Sequence, residues 1–182
     1  ALSDGVYSLT ATATDTAGNI SSISSSISIT IDTTVPDAPA SLATTSSETN
    51  NTTPTITGTA EANSTITLLN GDVVIGIAIA DSEGDFSVTP SNALAEGDYS
   101  LEAKATDAAG NISSESSSIS ITIDTTAPNA PTSLVDISDT NDKTPTITGT
   151  AEANSTITLF NGNEEIGTAT TDSEGDFSIT PS

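Results

Sequence analysis

Apolar and polar residues alternate with period two along almost the whole chain, and no segment holds a helical period. Tyr99, Leu101, Ala103 and Ala105 share one face of a strand whose other face carries Ser100, Glu102 and Lys104. Ile119, Ile121 and Ile123 alternate with Ser118, Ser120 and Thr122, and Ile56, Gly58 and Ala60 alternate with threonines. Strands of this kind bury one face and wet the other, the habit of antiparallel sheets. Turn signals fall between them: Asn70-Gly71 and Asn161-Gly162 mark tight hairpins, and Gly84 marks a turn over 81–85. For one complete unit the pattern predicts strands A near 40–47, B at 53–61, C at 64–69, D at 73–80, E at 85–89, F at 98–106 and G at 113–123. Seven short strands with turns every 8–12 residues predict an all-β, Greek-key sandwich of immunoglobulin type. Tyr99, and Tyr7 before it, open strand F after a loop. That is the place of a tyrosine corner, and equally that of an aromatic closing the base of a core.

The pattern repeats. Thr55 to Leu68 returns letter for letter at Thr146 to Leu159, and Asp81 to Ser87 returns at Asp172 to Ser178. Asp32 to Asp124 is a step of 92 positions and Asp81 to Asp172 a step of 91. The expected organisation is a tandem array of repeats of about 91 residues. Residues 1–33 would supply strands F and G of one repeat, 34–124 a complete repeat, and 125–182 strands A to E of a third. Ala1 and Ser182 fall at equivalent points of the repeat. The chain therefore reads as an excerpt of a longer array or filament, with its half-repeats completed by neighbouring copies.

Composition narrows the chemistry. The formal charge is −23, from 25 acidic residues against Lys104 and Lys143. Nucleic acid is excluded as a partner for want of a basic footprint, and an anionic membrane surface is disfavoured. No apolar run approaches the ~20 residues of a membrane span. With neither cysteine nor histidine, disulfides, thiolate sites and zinc are set aside. Nucleophilic catalysis has no visible base, and the aromatic residues sit at core positions, away from any cleft. The chain is not expected to be an enzyme. Its acidic surface either keeps a secreted protein soluble or takes a hard, oxygen-bound cation, above all calcium.

Loop position favours the cation. In this topology the BC, DE and FG loops gather at the pole where the preceding domain enters. Glu61 lies on BC, Asp81 on DE and Asp107 on FG, and the incoming linker brings Asp32. Asp32, Glu61 and Asp107 are the expected ligands, with Asp81 behind them; Asp124, Glu152 and Asp172 repeat the set one junction on, and Asp15 would join such a set from a neighbouring copy. Crowded carboxylates repel unless a cation lies between them. The competing role is local: Asp and Asn lock turns through their own backbone, so Asp107 with Asn111 would also serve as a turn lock. Asp81 to Asp85 is no EF-hand, having glycine at the fourth place and no distal glutamate.

The phrases Thr-Gly-Thr-Ala-Glu-Ala-Asn-Ser, Asp-Ser-Glu-Gly-Asp-Phe-Ser, Ala-Thr-Asp-Ala-Ala-Gly-Asn-Ile-Ser and Ile-Asp-Thr-Thr-Ala-Pro, in that order, resemble the bacterial Ig-like repeats of giant type-I-secreted, biofilm-associated and RTX-type surface adhesins. The resemblance covers the whole chain. It implies secretion to the cell surface, calcium near domain junctions and a spacer role, with neighbouring repeats as direct partners. Host, abiotic or sister-cell surfaces would be met by domains outside the chain. The alternative is a repeat that itself binds a glycan, a surface or a sister filament. Where many such repeats carry tryptophan, this chain has Phe86 and Phe177, implying a leaner core.

Overall fold

A computed structural model describes residues 1–135 and 137–181. Asp136 and Ser182, the last position of the expected third segment, lie outside the described residues. The described residues form fourteen β-strands and no helix, in two units, Ala1–Thr125 and Thr126–Ser182.

In the first unit β1 (Gly5–Leu9) and β2 (Ile27–Ile31) form an antiparallel hairpin. The complete sandwich follows. β3 (Ala40–Thr44), β5 (Ile56–Thr59) and β8 (Asp85–Val88) make one antiparallel sheet in the order β3-β5-β8. β4 (Glu48–Thr49), β6 (Thr65–Asn70), β7 (Val73–Ile79), β9 (Gly97–Thr106) and β10 (Ile119–Ile123) make the other, in the order β4-β10-β9-β6-β7. The first edge therefore switches sheets: β3 runs antiparallel to β5, whereas β4 runs parallel to β10.

The alternating faces close on each other. Ile56, Ile66, Leu68, Phe86, Val88, Leu101, Ile121 and Ile123 form one buried cluster with Ala80, Ala103 and Ala105. Burying a large aliphatic side chain contributes about 1.5–3 kcal/mol, so this cluster, with a single phenylalanine, is the main stabiliser of the repeat. Tyr99 packs on it and donates its hydroxyl to Ala95 O at 2.9 Å; Tyr7 donates to Ser3 O at 2.8 Å. Both are tyrosine corners, and Tyr99 is a core aromatic as well.

Two features depart from the expected strands. The fourth strand, β7, pairs with β6 and so joins the sheet of strands C, F and G; strand D of an immunoglobulin constant domain lies with A, B and E. The two-residue connection after Asn70 folds β7 straight back on β6, which leaves it no route to the other sheet. The second departure is in strand G, whose ladder is regular only from Ile119. Before that, Ala105 N and Ala103 N donate to the hydroxyls of Ser113 (2.9 Å) and Ser116 (3.0 Å). Those serine amides in turn donate to Ala105 O and Ala103 O, each at 2.9 Å. Side-chain oxygens thus replace ladder carbonyls and satisfy strand F where strand G bulges away. Ser21 and Ser24 do the same for Ala13 and Ala11.

The second unit has β11 (Ile147–Thr150) paired with β14 (Asp176–Ile179), and β12 (Thr156–Asn161) paired with β13 (Glu164–Thr170). Their registers copy β5 with β8 and β6 with β7. Among its described residues the buried cluster is Ile157, Phe177 and Ile179.

Candidate functional site

The registers bring three loops to one pole. Thr59 faces Asp85, and Thr65 faces both Ile79 and Thr106, so the loops 60–64, 80–84 and 107–111 leave the sandwich side by side. The first two are tied by backbone bonds: Ala60 N donates to Gly84 O at 2.8 Å, and Asn63 N to Ala80 O and Asp81 O at 3.1 and 3.2 Å. Gly84 has φ +90°, and a Cβ there would lie 2.5 Å from Ala60 O. No other residue fits that turn without moving the neighbouring loop.

Each loop is locked by its own aspartate. Asp81 Oδ1 accepts the amides of Glu83 (3.0 Å) and Asp85 (2.8 Å). Asp107 Oδ1 accepts those of Ala109 (2.9 Å) and Asn111 (2.8 Å), and its Oδ2 accepts Asn111 Nδ2 at 2.8 Å. The Asn111 side chain, foremost, holds the Asp107 carboxyl below the usual carboxylate range; burial opposes it and the turn amides of Asn111, Gly110 and Ala109 add to it. Asp15 is lowered in the same way by Asn19, whose side chain it accepts at 2.8 Å.

The same asparagine reaches the linker: Asn111 Nδ2 also donates to Asp32 O at 3.1 Å. Asp32 Oδ1 accepts Thr34 N at 2.9 Å. From the other side, Thr33 Oγ1 donates to both carboxylate oxygens of Asp4, at 2.9 and 3.1 Å. Glu96 repeats the part of Asp4 for the next linker, accepting Thr125 Oγ1 at 2.9 Å and Thr125 N at 3.3 Å. Pattern reading missed this clamp. Its trace was an acid three residues before each corner tyrosine, together with the recurring Asp-Thr-Thr.

Of the expected ligands, Asp32 and Asp107 are joined through Asn111, while Asp81 and Glu61 stand on the two tied loops. Their donors are all oxygen, as a hard cation requires. Among the described residues, however, no three acidic side chains form a group that could hold a metal ion. The oxygens fit calcium in kind and not in convergence, since Asp81 and Asp107 spend oxygens on their own turns. In the second unit Asp172 Oδ1 accepts Glu174 N (3.0 Å) and Asp176 N (2.8 Å), and Glu152 O accepts Thr171 Oγ1. Asp124, in the first unit, follows β10 and donates its amide to Thr49 O at 3.0 Å. Asp15 locks a turn of the first unit, accepting Ala17 N at 2.9 Å and Asn19 N at 2.8 Å.

A two-sheet sandwich with tyrosine corners, aspartate-locked turns and a clamped linker, recurring along one chain, defines a tandem protein of immunoglobulin type. The family described as bacterial Ig-like domain matches residues 1–33 and 39–125, well over half of the chain, which belongs to that family. Residues 127–182 match the family described as bacterial Ig domain. Among solved structures, the chain is similar to a tetra-tandem repeat from the extending region of a large adhesion protein, with 26% identity, 99% of this chain and 49% of that chain covered, and a TM-score of 0.41. It is also similar to the BSP domain of a biofilm associated protein, with 23% identity, coverage of 80% and 24%, and a TM-score of 0.32. The chain thus spans about half the length of the first and a quarter of the second. No curated protein matches it. Among the described residues no helix is long and apolar enough to cross a membrane.

Proposed function

We propose that this chain is part of the spacer of a large bacterial surface adhesin, an extracellular array that holds a binding domain away from the cell. The observation that carries the reading is the two-sided clamp on the linker. Thr33 is held by Asp4 from the hairpin before it, and Asp32 by Asn111 from the sandwich after it. A chain that only needed to join two domains would leave Asp32 to Thr34 free. Pro36 and Pro39 add fixed φ angles to the same segment. The function is mechanical, and the direct partners are neighbouring repeats.

Calcium enters the proposal as a second brace. Asp32, Glu61, Asp81 and Asp107, which do not converge in the folded chain, would have to draw together to hold it; Asp124, Glu152 and Asp172 are the same residues one repeat on, and Asp15 would serve a neighbouring copy. The charge of −23 and the all-oxygen donors support this. Binding at a hundred times the dissociation constant would stabilise the fold by about 2.7 kcal/mol per site.

Small-angle scattering of the wild type and of Asn111→Ala, each with calcium and with chelator, tests both braces. The variant in chelator is expected to be the most flexible of the four samples. Indifference to calcium, with no heat of binding in calorimetry, removes the metal and leaves the clamp. Equal flexibility in all four samples removes the stiff spacer.

A further inference from the structure

The hairpins β6–β7 and β12–β13 are two copies that differ in a selective way. Ile75, Gly76 and Ala78 of β7 recur as Ile166, Gly167 and Ala169 of β13. Val73, Val74, Ile77 and Ile79 do not: the same places in β13 hold Glu164, Glu165, Thr168 and Thr170. The four that changed are the outward ones, each more than half exposed. Inward packing is therefore kept while the outer surface turns from acidic and polar to wholly aliphatic.

The position of the strand gives the change a meaning. β7 is the terminal strand of the five-stranded sheet. An edge strand presents unpaired backbone groups, and sheet proteins guard such edges with charged side chains. β13 carries that guard in Glu164 and Glu165; β7 has none, and no charged residue occurs from Val73 to Ala80. Ser91 N donates to Ile75 O at 2.6 Å and Thr89 O lies against Gly76, so the same segment occupies the first part of the edge and leaves Ile77 to Ile79 beyond it.

We propose that β7 is a self-association strand, on which the β7 of a second copy of this chain lies antiparallel, with Ile77 and Ile79 of each copy covering those of the other. Charge selects this occupant. A basic partner would be drawn to the acidic faces and not to an uncharged edge. Two copies at −23 each repel, and they meet at least cost along the strip where neither carries a carboxylate. A two-fold axis then makes one patch complementary to itself. Four side chains fall short of the ~800 Å² per partner of a standard interface. Each contact is accordingly weak. This inference stands apart from the spacer reading.

Sedimentation velocity of the whole chain, from micromolar to millimolar concentration and in two salts, tests it. The wild type is expected to associate, and more so in high salt, where screening weakens repulsion between copies. Val73→Glu/Val74→Glu/Ile77→Thr/Ile79→Thr transfers the surface of β13 to β7 and is expected to associate about tenfold more weakly or not at all. Ile77→Thr/Ile79→Thr alone, which adds no charge, is expected to do most of the same and serves if the fourfold variant does not fold. A wild type that stays monomeric throughout overturns the proposal. So does association that survives both sets of substitutions, which would place the contact on another face. Binding of the monomer to zwitterionic lipid vesicles, without self-association, would make the strip lipid-facing and overturn it as well.

Discussion

The side-chain amide of Asn111 lies 3.1 Å from the backbone carbonyl of Asp32, a residue 79 positions earlier, while the same nitrogen holds Asp107 at 2.8 Å. One side chain thus couples the FG turn to the linker that enters the sandwich.

Replacing Asn111 with alanine removes both bonds and leaves the buried cluster intact. Each is worth roughly 1 kcal/mol, so the melting temperature is expected to fall by about 5–15 °C. The local effect is what identifies the clamp. Amide exchange at Asp32 to Thr34 is expected to quicken while exchange in β9 and β10 stays as it was. Unchanged exchange in the linker would mean that Asn111 does not hold it.

Acid titration follows from the same turn. The carboxyls of Asp107 and Asp15 are held below the usual range, by Asn111 and Asn19 first of all. A depressed folded pKa means that the unfolded chain binds more protons. The stabilisation is therefore full above the unfolded aspartate value of about 3.9 and is lost as pH falls through the lower folded value. Carbon-13 titration of the carboxyls should show Asp107 moving up toward the ordinary value in Asn111→Ala, with Asp15 unmoved. A midpoint for Asp107 that does not respond would contradict the assigned cause.

Packing gives a third test at Gly58, which faces Phe86 across β5 and β8. A Cβ on Gly58 would lie 2.6 Å from Phe86 Cζ and 3.0 Å from Ala40 O. Phe86 is buried on the main cluster, so the ring has little room to yield. Gly58→Ala is expected to cost about 1–3 kcal/mol through overpacking, measured by denaturant unfolding. Combining it with Phe86→Leu should recover part of that loss, because the pair is in contact and the two changes are not additive.

These sites also mark how far the sequence could be read. Period-two alternation made β5, β6, β9 and β10 legible, since each strand keeps one apolar face such as Leu101, Ala103 and Ala105. Repetition made the loop pole legible, and Tyr99 announced its corner. The partner of β7 was not legible, because its residues suit either sheet and only the short turn after Asn70 decides. Nor was the first half of strand G, where Ser113 and Ser116 look like ordinary solvent-facing serines but supply acceptors to strand F. The aspartates were ambiguous for a chemical reason. A carboxylate that locks a turn and one that waits for a cation have the same neighbours in sequence. The Asn111–Asp32 and Thr33–Asp4 bonds join residues far apart in the chain, so no local pattern carries them.

A last prediction comes from a difference between the repeats at one buried position. Ser64 is 1% exposed, and its hydroxyl has no hydrogen-bond partner. Its counterpart Ser155 lies beside Thr171, whose Oγ1 accepts Ser155 N at 2.8 Å and donates to Glu152 O at 2.6 Å. In the first unit that threonine is Ala80, so the bridge from strand end to loop is missing. An unpaired buried hydroxyl costs about 1–3 kcal/mol. Ser64→Ala should therefore be neutral or stabilising, whereas Thr171→Ala should destabilise the second unit by about 1 kcal/mol, because the carbonyl of Glu152 and the amide of Ser155 then keep only their mutual 3.2 Å bond. Amide exchange resolved by residue reads the two units separately within one chain. Equal losses from both substitutions would refute the assignment, since the argument requires opposite consequences for removing a hydroxyl that bonds and one that does not.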